Sequence, residues 1–107
     1  MSNLPVVNDS EFSVSVLGSL LPVLVDFSAT WCQPCQRQAP ILEEVSRELT
    51  GQVKVFKMDV DDNPETPQKF GVMSVPTLIL FKGGAVVEKL VGLTSKEKLL
   101  GKLSGVL

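Results

Sequence analysis

The fold is decided by Val23-Leu24-Val25-Asp26-Phe27-Ser28-Ala29-Thr30-Trp31-Cys32-Gln33-Pro34-Cys35. From Pro22 to Ala29 the chain is a near-continuous apolar run, the pattern of a strand buried on both faces, as in a parallel sheet. The residues after Cys35 read as a helix. Leu42, Val45 and Leu49 recur at helical spacing, and Gly51 suits a stop. Pro40 lies inside this segment and should kink it, because it has no amide donor and crowds the preceding turn. Cys32 and Cys35 therefore stand where a buried strand hands over to a helix.

Toward the N-terminus, Leu4 to Val7 reads as a short first strand. Asn8, Asp9 and Ser10 offer N-caps for a helix through about Gly18. On the other side, Val53 to Asp59 is a strand. Asn63-Pro64 reads as an N-cap with proline at the first helical position, opening a short helix to about Phe70. Thr77 to Phe81 and Ala85 to Val91 flank Gly83-Gly84, a hairpin signal, since both glycines can take positive φ. Thr94 and Glu97 have capping-box spacing. The last helix carries Leu99, Leu100, Leu103, Val106 and Leu107 on one face. The order is β-α-β-α-β-α-β-β-α: a mixed α/β sheet of five strands, with helices on both faces.

The 107 residues make one domain, 1–107, large enough for a core without staples. The net charge of −2 implies no nucleic-acid or anionic-membrane partner. The start of the chain lacks the basic region of a signal peptide, and the longest apolar stretch is broken by Gly18, Pro22 and Asp26. A cytoplasmic location is expected, with an organelle stroma also compatible. The chain has two cysteines and no histidine. Secreted disulfide-stapled domains usually carry four or more cysteines, so a close pair points to chemistry.

Two residues three apart at a helix start face the same side, and a Cα separation of about 5–6 Å there suits a disulfide. A thiolate at that place meets unpaired backbone N–H groups and the positive end of the helix dipole, which lower its pKa. The bond closes a very short loop and removes little unfolded-state entropy, so it serves redox cycling better than stapling. Alternatives remain. A C-x-x-C pair can be half a zinc site, yet zinc takes four ligands and no third cysteine or histidine exists here. A metal bridging two chains would need a symmetric dimer. Two inert buried thiols are a third reading, against which Trp31 and Pro34 mark a shaped, exposed turn.

Several stretches resemble the thioredoxin family, in order from about residue 22 to the end. They are Val25-Asp26-Phe27, Trp31-Cys32-x-Pro34-Cys35, Ala39-Pro40, Lys57-x-Asp59-Val60-Asp61, Phe70-Gly71-Val72, Val75-Pro76-Thr77, Phe81-Lys82-x-Gly84 and Gly92. C-x-x-C beside a βαβ pattern is itself a thioredoxin-like redox motif. The resemblance implies a thioredoxin fold and a protein-disulfide reductase whose only redox group is its own cysteine pair, with no bound cofactor or metal. Cys32 would be the nucleophile and Cys35 the resolving thiol. Asp26 would be a buried acid with a raised pKa that takes the Cys35 proton, and Lys57 the nearby cation. Pro76 would be a cis proline facing the dithiol, leaving the Val75 backbone free to pair with an extended target. Trp31, Met73, Ser74, Val75 and Gly92 would form an apolar docking rim.

The implied partners are disulfide-containing target proteins and a thioredoxin reductase, drawing on NADPH or ferredoxin; the chain is expected to be monomeric. Gln33 stands where the family usually has Gly, so it and Pro34 are expected to tune the potential. Ser28 replaces a common aromatic and loses a large packing group beneath the active-site loop. Phe70 stands where Tyr is frequent. Two other functions compete: a disulfide oxidant or isomerase, prompted by Gln33, and a binding module in which the thiols are incidental.

Overall fold

The computed structural model describes residues 3–107; the first two residues of the expected 1–107 domain lie outside the described residues. The elements run α1 (Asp9–Phe12), continued by a π-helical turn (Ser13–Leu17), β1 (Val23–Ser28), α2 (Gln33–Glu48), β2 (Lys54–Asp59), α3 (Glu65–Lys69), β3 (Thr77–Lys82), β4 (Ala85–Val91) and α4 (Lys96–Ser104). The sheet order is β2-β1-β3-β4. β1 pairs parallel to β2 and antiparallel to β3, and β3 pairs antiparallel to β4. The mixed sheet follows from the connections: a long helix carries the chain from β1 back to a parallel β2, while the two-residue Gly83-Gly84 turn makes β3–β4 a hairpin. Both glycines take positive φ, 60° and 80°.

The sheet has four strands rather than the five expected. Leu4 to Val7 does approach β2, but only as an isolated parallel bridge between Val6 and Lys57. Two backbone bonds hold it: Val7 N–H donates to Lys57 O at 3.0 Å and Lys57 N–H to Pro5 O at 2.9 Å. Pro5 has no amide hydrogen to extend the ladder, and the chain turns into α1 at once.

Each layer of the core draws on alternate residues of β1. Val23, Val25 and Phe27 pack with Ile79, Phe81, Met58, Phe12 and Val16 on one face. There Phe12, Phe70 and Phe81 form a ring cluster with centroids 5.1–5.5 Å apart. Leu24 packs on the other face with Leu78 and Leu80 under Leu42 and Val45 of α2 and Leu99 and Leu103 of α4. Asp26 shares the parity of Leu24, so its carboxylate lies on the face that α2 covers. Leu100 and Val106 pack at the edge of that layer, while Leu107 is exposed.

Two caps differ from expectation. α3 begins after Pro64, and its free amides are held by a residue far away in sequence. The Asp9 carboxylate accepts from Glu65 N at 3.1 Å, Thr66 N at 2.9 Å and Thr66 Oγ1 at 2.6 Å. Asn63 instead ties the loop, donating to Asp59 O and accepting from Asp9 N at 2.8 Å. At α4 the cap is Ser95, whose Oγ accepts from Lys98 N, rather than Thr94. The helix α2 runs through Pro40, which sits on its exposed side.

Candidate active site

The buried strand β1 ends at Ser28, and the chain turns over Ala29 and Thr30 into α2. Cys32 is the N-cap of that helix, with φ −91° and ψ 111°. Its Sγ accepts from the Cys35 backbone N–H at 3.1 Å, the place a capping oxygen usually fills. Cys32 and Cys35 are joined as a disulfide with Cα atoms 5.2 Å apart. Proline next to N1 suits the start of a helix, where an amide donor is not needed. The sulfur thus sits among the helix's unpaired N–H groups. On reduction, those groups and the helix dipole favour the thiolate.

Cys32 and Cys35 retain 3% and 5% exposure and pack with Ala29, Val60 and Val75. The window onto the sulfurs is narrow, and its surroundings are apolar and open. Trp31, next to Cys32 in the chain, is 68% exposed, and Met73, two residues before Val75, is exposed as well. The Val75–Pro76 peptide is cis. Gly92 N–H donates to Pro76 O at 2.8 Å, which draws the Gly92 turn to the proline segment. Of the sequence-predicted rim, Val75 touches the dithiol cluster and Gly92 touches Pro76. Met73 and Ser74 are exposed on the same segment, with Ser74 O accepting from Thr77 Oγ1 at 2.7 Å. Gln33 is exposed and Pro34 half-buried at the helix start.

Asp26 lies beneath this surface and is 1% exposed. Its Oδ1 has no hydrogen-bond partner, an expensive state for a carboxylate. Burial pushes its pKa from 3.8 up to about 7, against the opposing pull of Lys57. Lys57 is its register partner on β2. Both residues line a cleft of about 580 Å³ that also reaches Cys35 and Ser28, with Ala39 and Pro40 on the α2 wall. The short Ser28 side chain leaves this space open.

Three features escaped the sequence reading. The Trp31 indole N–H donates to Asp61 Oδ2 at 2.8 Å. The cleft itself joins residues from β1, β2 and α2. Gln38 is fully buried on α2 and exchanges two hydrogen bonds with the Thr94 backbone. A signal for Gln38 existed: it continues the Leu42–Val45–Leu49 stripe toward Cys35, and a polar residue on an apolar face demands a partner.

Among the described residues, no three His, Cys, Asp or Glu side chains gather to hold a metal ion. None of the described helices is long and apolar enough to cross a membrane.

The thioredoxin family model matches residues 3–104. The chain is 53% identical to a thioredoxin of Mycobacterium tuberculosis over 100 residues, 94% of this chain and 86% of that one. It is 52% identical to a thioredoxin of Rickettsia conorii over 94 residues, 88% of this chain and 90% of that one. It is 48% identical to a thioredoxin of Synechocystis over 103 residues, 96% of each chain. A dithiol pair at a helix start, an α/β sheet that holds it, and relatives at this identity over nearly the full length agree. The chain belongs to the thioredoxin family, thiol-disulfide oxidoreductases whose redox group is their own cysteine pair.

Proposed function

We propose that the chain works as a single-domain protein-disulfide reductase in which Cys32 attacks and Cys35 resolves. In the reduced protein the Cys32 thiolate attacks one sulfur of a target disulfide, and the other leaves as a thiolate that takes a proton. Cys35 gives its proton to Asp26 and attacks Cys32 Sγ. The target's second sulfur leaves, and two electrons have passed to the target. The observation that carries this reading is the position of Cys32 as the N-cap of α2, sulfur against the Cys35 amide.

Asp26 as proton acceptor is supported by its burial, its open Oδ1 and a pKa near the working pH. Lys57 tunes it by holding the charged form down in energy. Trp31, Met73, Ser74, Val75, Pro76 and Gly92 receive the target chain, with Val75 offering backbone groups to an extended strand. Gln33 and Pro34 tune the potential from the helix start. The electron source is a thioredoxin reductase, NADPH- or ferredoxin-dependent. A monomer in the cytoplasm, or an organelle stroma, fits a dithiol that must be reduced again after each turnover.

Reduction of insulin disulfides tests the scheme. Cys32→Ser should abolish it, and Cys35→Ser should trap a mixed disulfide visible on a non-reducing gel. Full turnover by both variants would overturn the assignment. Equilibration with glutathione separates reductase from oxidant, since an oxidant would show a potential far above that of reductases.

A further inference from the structure

Gln38 is 0% exposed, one helical turn beyond Cys35 on the same buried face of α2. Its Oε1 accepts from Thr94 N at 2.8 Å and its Nε2 donates to Thr94 O at 3.0 Å. One side-chain amide thereby satisfies both backbone groups of a residue that is 4% exposed. This is the pairing a neighbouring strand would offer, supplied here by a helix. Thr94 in turn donates from Oγ1 to Gly92 O at 3.1 Å. Gly92 N–H donates to Pro76 O at 2.8 Å. A continuous path of hydrogen bonds therefore runs from the helix that carries the dithiol, through Thr94 and Gly92, to Pro76.

Packing alone does not ask for glutamine at this place. The next positions on the stripe, Leu42 and Val45, are apolar and buried. A glutamine beside them is stable only while its hydrogen-bonding groups find partners, and without it the Thr94 N–H and C=O would be buried and unpaired. Gly92, with φ 89°, and Leu93 lie outside any regular element. Beyond them α4 is held to α2 by Leu99 and Leu103 and by Lys96 pairing with Glu44 and Glu48, whereas the Gln38 side chain reaches the turn itself at Thr94.

We propose that Gln38 is a positioning residue: it locks the Gly92–Thr94 turn, and through it Pro76, at a fixed distance from Cys32 and Cys35, and so sets how well an extended target chain seats over the sulfurs. The inference rests on the reading of that rim as the docking surface. A small disulfide that touches only the sulfurs does not use the rim, so its reduction is indifferent to Gln38.

The test compares insulin with 5,5′-dithiobis(2-nitrobenzoic acid) as substrates for Gln38→Met and the milder Gln38→Asn. The expected result is an insulin KM raised about tenfold for Gln38→Met, with kcat and reduction of the small disulfide within about twofold of wild type. The reduction potential against glutathione should not move. A lowered Tm with insulin KM unchanged, or an equal loss on both substrates, would overturn the proposal and leave Gln38 as core filling. Met73→Glu, a change on the rim itself, tells a failure of the rim from a failure of the lock. If it too leaves the insulin KM unchanged, the docking surface lies elsewhere; if it raises KM while Gln38→Met does not, only the role of Gln38 fails. Should Gln38→Met not fold, amide hydrogen exchange on the wild type still decides. Thr94 N–H should be as protected as the Leu42 amide of α2, and fast exchange there overturns the lock.

Discussion

Asp26 and Lys57 face one another across the parallel β1–β2 pair, yet the lysine does not offset what burial does to the carboxyl. The native pKa lies near 7 and the unfolded value near 3.8. Between these values the native state holds a proton that the unfolded state has lost, so stability falls as pH rises through the window and is level above it. At about 1.4 kcal/mol per pH unit, the effect is at most about 4 kcal/mol. Asp26→Asn removes it. Urea unfolding at pH 4 and pH 8 should show the variant gaining on wild type by up to that amount. A difference independent of pH would mean an ordinary carboxyl.

The same substitution has a kinetic signature. Only the charged carboxylate can accept the Cys35 proton, so wild-type resolution should rise with pH through about 7. Asp26→Asn should slow that step about 10²-fold at pH 7 and remove the inflection. Stopped-flow decay of the mixed disulfide reads it directly. An unchanged profile would assign the proton to another acceptor.

The Asp9 contact with α3 titrates in the opposite sense. Its partial burial raises the pKa, but the Thr66 hydroxyl and the Thr66 and Glu65 amides outweigh this and hold it below 3.8. A depressed native pKa contributes stability that is present above the unfolded value and fades as pH falls through the native one. Asp9→Ala should cost about 1–2 kcal/mol at pH 7, in line with loss of a cap, and the gap should be smaller at an acid pH below the ordinary carboxylate range. Chemical denaturation at both pH values checks it, and a constant gap would place the contribution in packing instead.

What the sequence revealed and what it hid divide along range. β1 was legible because six consecutive buried residues leave an apolar run, and the β3–β4 hairpin because Gly83 and Gly84 suit its turn. The cysteine pair announced itself by spacing and by the strand before it. The caps are hidden wherever a distant partner intervenes. Asn63 looked like the cap of α3, but Asp9 arrives from the other end of the chain and takes the amides. Thr94 looked like the cap of α4, but Gln38 holds its backbone, and the role passes to Ser95. The fifth strand failed because Pro5 withholds a donor and one bridge does not make a ladder. Asp26 was visible as an acid in an apolar run, whereas the cleft beside it was not, since it is formed by three elements meeting.

That cleft gives a stability prediction of its own. Ser28 shares the α2-facing parity of Asp26 and borders the open space. Ser28→Trp should fill part of it, adding about 1–2 kcal/mol, below the full transfer value because one side stays wet and the indole must fit existing walls. By excluding water from Asp26 it should also raise that pKa, moving the kinetic inflection to higher pH. Thermal unfolding and the pH profile measure the two effects separately. A loss of stability would show that the space cannot take an aromatic ring.

The Trp31–Asp61 bond governs an exposed ring beside the sulfurs. Asp61 is itself held, its N–H donating to Asp59 Oδ1 at 2.9 Å, so the carboxylate anchors the indole to a fixed turn rather than following it. The bond lies in solvent, so its loss should cost less than about 1 kcal/mol of stability. Its effect should appear in motion instead. Trp31 is the sole tryptophan of the chain, so fluorescence anisotropy decay reports on it alone. Asp61→Ala should add a fast component to that decay and lower insulin kcat/KM about two- to fivefold. Asp61→Asn keeps an acceptor oxygen and should restore most of both. If the alanine variant keeps the wild-type decay, the indole is held by packing and the carboxylate has no part in presenting it.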